Sequence, residues 1–169
     1  DERIQQPNEI IAVLEQCSQQ QIPLLIIAED IEPSILGLLI KNNQQGVIQV
    51  CAVRAPKWGV QKKELLKDMA VFTGGEVISK EYGLTLNEES VAHLGYAKKV
   101  IVSKGFTTIY EGEGDKKKIT ERVEQINAQY TQDIKDYDKR YLNLRKGNFT
   151  NGVALINVGA ATDLDGQEK

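Results

Sequence analysis

The chain has one histidine and two cysteines in 169 residues, and a net charge of only −3. Each scarcity excludes something. Cys17 and Cys51 make neither a metal-ligand set nor a disulfide framework. Their apolar neighbours give them the character of small buried hydrophobes, which fits a reducing compartment. The weak negative charge argues against general affinity for nucleic acid or a membrane surface, because phosphate binding needs clustered Lys and Arg. The richest basic stretches, Lys62-Lys63 and Lys116-Lys117-Lys118, are short, lie beside acids and read as solvated helix faces. No apolar run is long enough to span a bilayer. The opening residues DERIQQPNE are no signal peptide and read as a cut into a longer protein. There is no P-loop and no dinucleotide fingerprint. Gly112-Glu113-Gly114-Asp115 lacks the Lys-Ser or Lys-Thr that a phosphate loop needs, and reads as a plain turn. His93, in EESVAHLGYA, reads as a surface or helix-end histidine, since a catalytic role would need distant partners that the sequence does not locate. Asn148-Phe149-Thr150 matches a glycosylation acceptor by chance, since nothing else points to secretion.

What is present is an ordinary globular composition, 41% hydrophobic and 27% charged. At this length one domain is expected, burying roughly 70% of the extended-chain surface. The first half alternates helix and strand. A helix from about Pro7 to Gln20 precedes the strand Leu24 to Ala28, and a helix from Pro33 to Gln44 precedes the strand Val47 to Val53. A third helix, from about Gly59 to Phe72, carries Leu65, Leu66, Met69 and Ala70, and Glu76 to Ser79 follows as a short strand. Such alternation predicts a parallel sheet with helices side by side on its face. Lys99 to Ser103 and Thr107 to Tyr110 then read as a β-hairpin. Two polar helices follow, one from Lys116 to about Tyr130 with Ile119, Val123 and Ile126, one from about Asp136 with Tyr137, Tyr141 and Leu144. They read as an αα-hairpin with a thin apolar seam. GVALINVGAAT (Gly152 to Thr162) is a strand running into small residues, and Asp163 to Lys169 is a polar end.

The two helices that flank PLLIIAED (Pro23 to Asp30) carry more apolar residues than one core stripe needs. On the first, Ile10, Val13, Leu14 and Cys17 follow the i, i+3, i+4, i+7 pattern, and Ile11 is left over. On the second, Ile35, Leu38 and Leu39 form the stripe, and Leu36 and Ile40 are left over, one turn apart. An exposed binding patch and a broader core both account for this surplus. Glu29-Asp30 is the most pointed acid pair, at the carboxyl end of a strand where open parallel sheets place ligands. The pair has three readings: holding Mg²⁺, acid–base chemistry, and capping or ion-pairing near the helix from Pro33.

PLLIIAED, RAPKWG (Arg54 to Gly59), KDMAVFTGGEVIS (Lys67 to Ser79), LGYAKKVIVSK (Leu94 to Lys104), DYDKR (Asp136 to Arg140) and GVALINVGAAT occur in one order. This set resembles the apical domain of GroEL-type group I chaperonins over essentially the whole chain. The resemblance implies an α/β fold, a parallel-rich sheet flanked by helices, in which two parallel helices bound an apolar groove beside the β-hairpin and αα-hairpin. It implies an apical domain over 1–152, lacking its first strands, and a strand leaving it toward an intermediate domain over 153–169. Gly152 matches a hinge glycine. Non-native polypeptides and the mobile loop of a GroES-type co-chaperonin are the implied partners in the groove, and other chaperonin subunits in the intact ring. The matching groove positions are Ile11, Leu14, Glu15 and Ser18 on the first helix, and Ser34, Leu36, Ile40, Lys41, Asn42 and Gln45 on the second. Ile11, Leu36 and Ile40 are the residues that periodicity leaves over.

The resemblance also implies no catalytic residue, metal or cofactor in this stretch. ATP and Mg²⁺ would belong to segments of the parent ATPase that are absent here, in the bacterial cytoplasm or an organellar stroma or matrix. Three groove positions depart from the family: Lys41 stands for a valine, Ser34 for a glutamate and Gln45 for an arginine. Losing one Val-sized apolar contact is worth about 1–2 kcal/mol, roughly tenfold in affinity. Val60-Gln61 replaces an acidic–basic pair, and Asn151 replaces the first of two hinge glycines. A divergent paralogue with weaker or more selective client binding is therefore expected. The alternatives are a paralogue serving as an interaction scaffold and a Mg-dependent enzyme using Glu29 and Asp30.

Overall fold

The computed structural model describes residues 3–55, 59–86 and 92–156. Among them, five α-helices and three small sheets make a mixed α/β fold. The order is β1 (Arg3–Ile4), α1 (Asn8–Gln19), β2 (Leu24–Ala28), β3 (Asp30–Ile31), α2 (Pro33–Gln44), β4 (Val50–Arg54), α3 (Gly59–Thr73), β5 (Ala97–Val102), β6 (Thr107–Gly112), α4 (Lys116–Asn127), α5 (Asp136–Thr150) and β7 (Val153–Ile156).

β2 and β4 run parallel, from Leu24 opposite Val50 to Ala28 opposite Arg54. The first four residues of β4 are buried, because both faces are covered, and such strands read as unbroken apolar runs. Val50 and Ala52 meet α1 and α2, in a cluster with Ile26 and Ala28. Cys51 and Val53 face the other way, toward Val102 of β5, with Leu25 and Ile27 packed beside them. Both cysteines are buried, and neither is joined in a disulfide.

The single parallel-rich sheet expected from the alternation is divided. β1 and β3 form a separate parallel pair, and β5-β6-β7 is an antiparallel sheet in which β7 pairs with β6. The hairpin is present, with Val102 opposite Thr107. The expected strand at Glu76 to Ser79 belongs to none of the sheets. The N–H groups of Gly74 and Gly75 both donate to Ala70 O and close α3. Gly75 then crosses the 93–95 backbone so tightly that a Cβ would lie 2.4 Å from Gly95 N. Its neighbour Glu76 donates one bond to His93 O, a crossing rather than a ladder. β4 likewise starts at Val50 instead of Val47. α2 ends in a Schellman turn at Gly46 (φ +71°), where Val47 N donates to Asn42 O, and the chain needs three more residues to reach the sheet. The Asn43 side chain then brackets Val50, donating to its carbonyl and accepting from its N–H at 2.8 Å.

The second core lies between α3, α4, α5 and the antiparallel sheet, around Met69, Phe72, Ile109, Ile126, Leu142 and Phe149. Phe72 and Phe149 meet edge to face at 6.3 Å. The seam expected on α5 is shifted: Tyr137 and Leu144 are exposed and Tyr141 is half-buried, while Leu142 and Phe149 are buried. The buried stripe on α5 runs through Arg145, and that on α4 through Arg122. A pattern that counts only apolar residues passes over both. The glycine-rich turn is a close approach to α3: a Cβ at Gly112 would lie 2.2 Å from Phe72 O. Asp115 then caps α4 by accepting from Lys117 N.

Candidate protein-binding face of the first two helices

α1 buries Ile10, Val13, Leu14 and Cys17, the stripe that its spacing predicts. Ile11, about 100° away, is 39% exposed. Glu15 is exposed and Ser18 half-buried. The Ser18 hydroxyl donates to Val47 O at 2.9 Å, which ties the C-terminal end of α1 to the loop after α2. α1 stops because Gln21 takes a left-handed φ of 56° and Ile22 N donates back to Cys17 O.

On α2 the structure corrects the predicted stripe. Ile35, Leu36 and Leu39 are buried, and Leu38 is only half-buried. Leu36, at 7% exposure, belongs to the same cluster as Leu14, Val13 and Cys17 of α1. The face of α2 is therefore turned toward the cluster that α1 shares, which periodicity within one helix does not encode. Ile40 is half-buried, and Ser34, Lys41 and Gln45 are exposed. Asn42 donates its amide to Leu38 O at 2.8 Å, so its side chain serves its own helix. Gln45 forms the C-cap, its N–H directed at Lys41 O.

The ten groove positions thus separate into three kinds. Leu14 and Leu36 lie in one shared core cluster. Ile11 and Ile40 keep apolar surface open to solvent, beside exposed Glu15, Ser34, Lys41 and Gln45. Ser18 and Asn42 spend their side chains on backbone carbonyls.

Glu29 and Asp30 are engaged by cations. Asp30 lies 2.8 Å from Arg3 and 3.3 Å from Arg54, and Glu29 lies 3.4 Å from Lys62. The Ile31 N–H above all, then Arg3 and Arg54, hold the Asp30 carboxyl below the usual carboxylate range. Asp30 also anchors β1 to β3, so of the readings open for this pair, ion pairing is what the geometry displays. His93 is half-buried, with Nδ1 2.6 Å from a carboxylate oxygen of Glu76. Gly152 has φ +69° and accepts from Glu111 N, immediately before β7.

Sequence reading misses one side-chain cluster entirely. Asp68 on α3, fully buried, accepts from Arg122 Nε at 2.8 Å and from Arg145 Nε at 2.6 Å. Glu64 accepts from both guanidinium groups at 3.0 and 2.9 Å. Two cations and two anions clamp three helices together, and their separations of 54 and 77 residues leave no local signal.

Positions 56–58 of RAPKWG, 87–91 before His93, and 157–169, which include the end of GVALINVGAAT and the polar Asp163 to Lys169, lie outside the described residues. Among the described residues no helix is long and apolar enough to cross a membrane, and no three His, Cys, Asp or Glu side chains converge as a metal site would require. No known protein-family model matches the chain.

Proposed function

We propose that this chain is the polypeptide-binding domain of a molecular chaperone, an apical domain of the GroEL-type group I chaperonin kind. On this reading α1 and α2 bound a groove that takes apolar segments of non-native proteins and the loop of a co-chaperonin. The observation that carries the reading is that α1 and α2 share one core cluster while Ile11 and Ile40, on the same two helices, keep apolar surface in solvent. Paired helices with a buried floor and an apolar rim suit the docking of an amphipathic helix or an extended strand. Lys41, exposed at the C-terminal part of α2, narrows that rim and adds a charge that must stay hydrated. Binding is therefore weaker and more selective than an all-apolar rim would give. The left-handed Gly152 between Glu111 and β7 is the proposed hinge of the parent protein. Hydrolysis of ATP belongs to other parts of that parent.

The test uses rim residues, since Leu36 is core and its loss would confuse folding with binding. Ile11→Ser removes a side chain that is 39% exposed, worth about 1 kcal/mol on docking, roughly fivefold in affinity for an amphipathic peptide. Lys41→Val acts in the opposite direction, a gain of roughly tenfold. Titration of a fluorescent amphipathic peptide reads both. Unchanged affinity in both variants sinks the assignment of this face.

A further inference from the structure

Asn151 is the one asparagine of the chain that is followed by glycine. It is exposed and closes α5 as its C-cap, with φ −89° and ψ −8°. Gly152 follows at φ +69°, and a Cβ there would meet nothing within 4 Å. It has room to turn and brings no side chain to shield its backbone nitrogen. Among the described residues no hydrogen bond reaches that nitrogen or the side-chain amide of Asn151. Other asparagines are held. Asn42 donates to Leu38 O, and Asn43 brackets Val50. Asn143 accepts from the Tyr130 hydroxyl at 2.6 Å, and Asn148 accepts from Leu155 N at 3.2 Å. Asn8 and Asn127 precede Glu9 and Ala128, whose Cβ atoms crowd the nitrogen that follows each asparagine.

Such a pair reacts with itself, helped by the proximity of groups within one dipeptide. The Gly152 nitrogen, its proton taken by hydroxide, attacks Asn151 Cγ. The N–Cγ bond forms, the Cγ–Nδ2 bond breaks, and Nδ2 leaves as ammonia with a proton from water. Water then opens the resulting cyclic imide, at Cγ to give aspartate or at the backbone carbonyl to give isoaspartate. The sum is one amide and one water converted to one carboxylate and one ammonium, with nothing oxidised or reduced. The folded turn sets the rate. Ring closure needs the Gly152 nitrogen eclipsed with Cβ about the Cα–C bond, and ψ −8° holds it away. Asn151 must turn about ψ, which breaks the bond that Glu111 N donates to Gly152 O at 3.0 Å. Glu111 itself sits at φ +51°, a left-handed conformation that is costly for glutamate. The junction of α5 and β7 is thus held by a strained residue and opens locally.

We infer that Asn151–Gly152 is a self-modification site, a slow chemical clock that loosens the α5–β7 junction as the protein ages. Either product places a carboxylate at the C-terminal end of α5, where the helix dipole disfavours negative charge. Isoaspartate also adds a methylene to the main chain just before β7, whose Ala154 and Ile156 are buried in the second core. This chemistry goes beyond the chaperone reading and does not depend on it.

The test incubates the intact folded chain at neutral and at mildly alkaline pH. Peptide mass spectrometry then distinguishes asparagine, aspartate and isoaspartate at each position over time. The Asn151 peptide should be lost before those of Asn8 and Asn127, faster as pH rises, with isoaspartate among the products. Asn151→Gln, whose extra methylene carries the carbonyl carbon out of reach, should abolish the conversion while leaving the fold intact. Asn151→Asp reproduces the new charge and should lower the melting temperature by about 1–3 °C. Survival of Asn151 equal to that of Asn127 overturns the inference. So does aspartate formed without isoaspartate, which would mean direct hydrolysis of the side chain. Melting temperatures of aged chain and of Asn151→Asp equal to that of fresh wild type overturn the loosening of the junction.

Discussion

Replacing Asp68 with alanine strikes the point where three helices are joined by charge. The carboxylate is fully buried and receives hydrogen bonds from Arg122 and from two nitrogens of Arg145. Both guanidinium groups are themselves buried. Glu64, the remaining carboxylate, is partly open to water. Without Asp68 the cluster changes from balanced to one net positive charge held away from solvent. Breaking a buried ion pair by removing one partner costs about 3–5 kcal/mol, because the other charge stays uncompensated. Domains of this size hold about 5–15 kcal/mol of stability, so the loss should lower the melting temperature by roughly 10 °C. Urea denaturation followed by tryptophan fluorescence and circular dichroism gives the free energy directly. Replacing the three buried members with apolar residues, Asp68→Leu with Arg122→Met and Arg145→Met, and leaving the partly exposed Glu64, should recover most of the loss, since a well-packed apolar substitute for a buried pair is often neutral or better. If Asp68→Ala stays within about 1 kcal/mol of wild type with an unchanged urea dependence, the cluster is not the clamp described here.

Tyr141 packs near Arg145 and donates its hydroxyl to Gln61 O at 3.1 Å. Burial pushes its phenol up to about 12 from an ordinary 10. The folded state thus holds the proton more tightly than the unfolded chain. This contribution is fully present below pH 10 and is lost as pH rises through 12. Tyr141→Phe should cost about 1 kcal/mol at neutral pH through the lost hydrogen bond, and should remove one late-titrating phenolate from the ultraviolet spectrum. An unchanged late phase would refute the placement. Gly37 lies within α2 with nothing within 4 Å of a Cβ and no left-handed φ, so Gly37→Ala should stabilise the chain by about 0.5–1 kcal/mol. Gly112→Ala drives a Cβ to within 2.2 Å of Phe72 O and should destabilise it by about 1–3 kcal/mol. Paired thermal melts decide both, and like-signed shifts would contradict the local geometry.

How legible the fold is in the sequence varies with the kind of residue that builds each part. The α1 stripe of Ile10, Val13, Leu14 and Cys17 is readable because that helix buries one apolar face, and periodicity reports such a face directly. The strand pair Leu24–Ala28 and Val50–Arg54 is readable from apolar runs, but Glu76 to Ser79 has the same appearance and forms no ladder. Its difference lies in Gly75 and Gly95 meeting across the fold. On α2, spacing puts Leu38 in the core stripe and leaves Leu36 over, whereas the cluster shared with α1 makes Leu36 the buried one. Of the candidate rim, Ile11 and Ile40 retain exposed surface, whereas Leu36 serves the core.

Local patterning accounts for the helices and the hairpin strands, for the end of α2 at Gln44 and for the residues of α1 that face inward. Those outcomes depend on local φ preferences and on the spacing of apolar side chains within one element. Long-range packing decides that Arg122, Arg145, Asp68 and Glu64 neutralise one another in the interior and that Asp30 ties β1 to β3. Each of these depends on groups far apart along the chain, whose burial is tolerable only when a partner of opposite charge or matching hydrogen-bonding capacity arrives from another element.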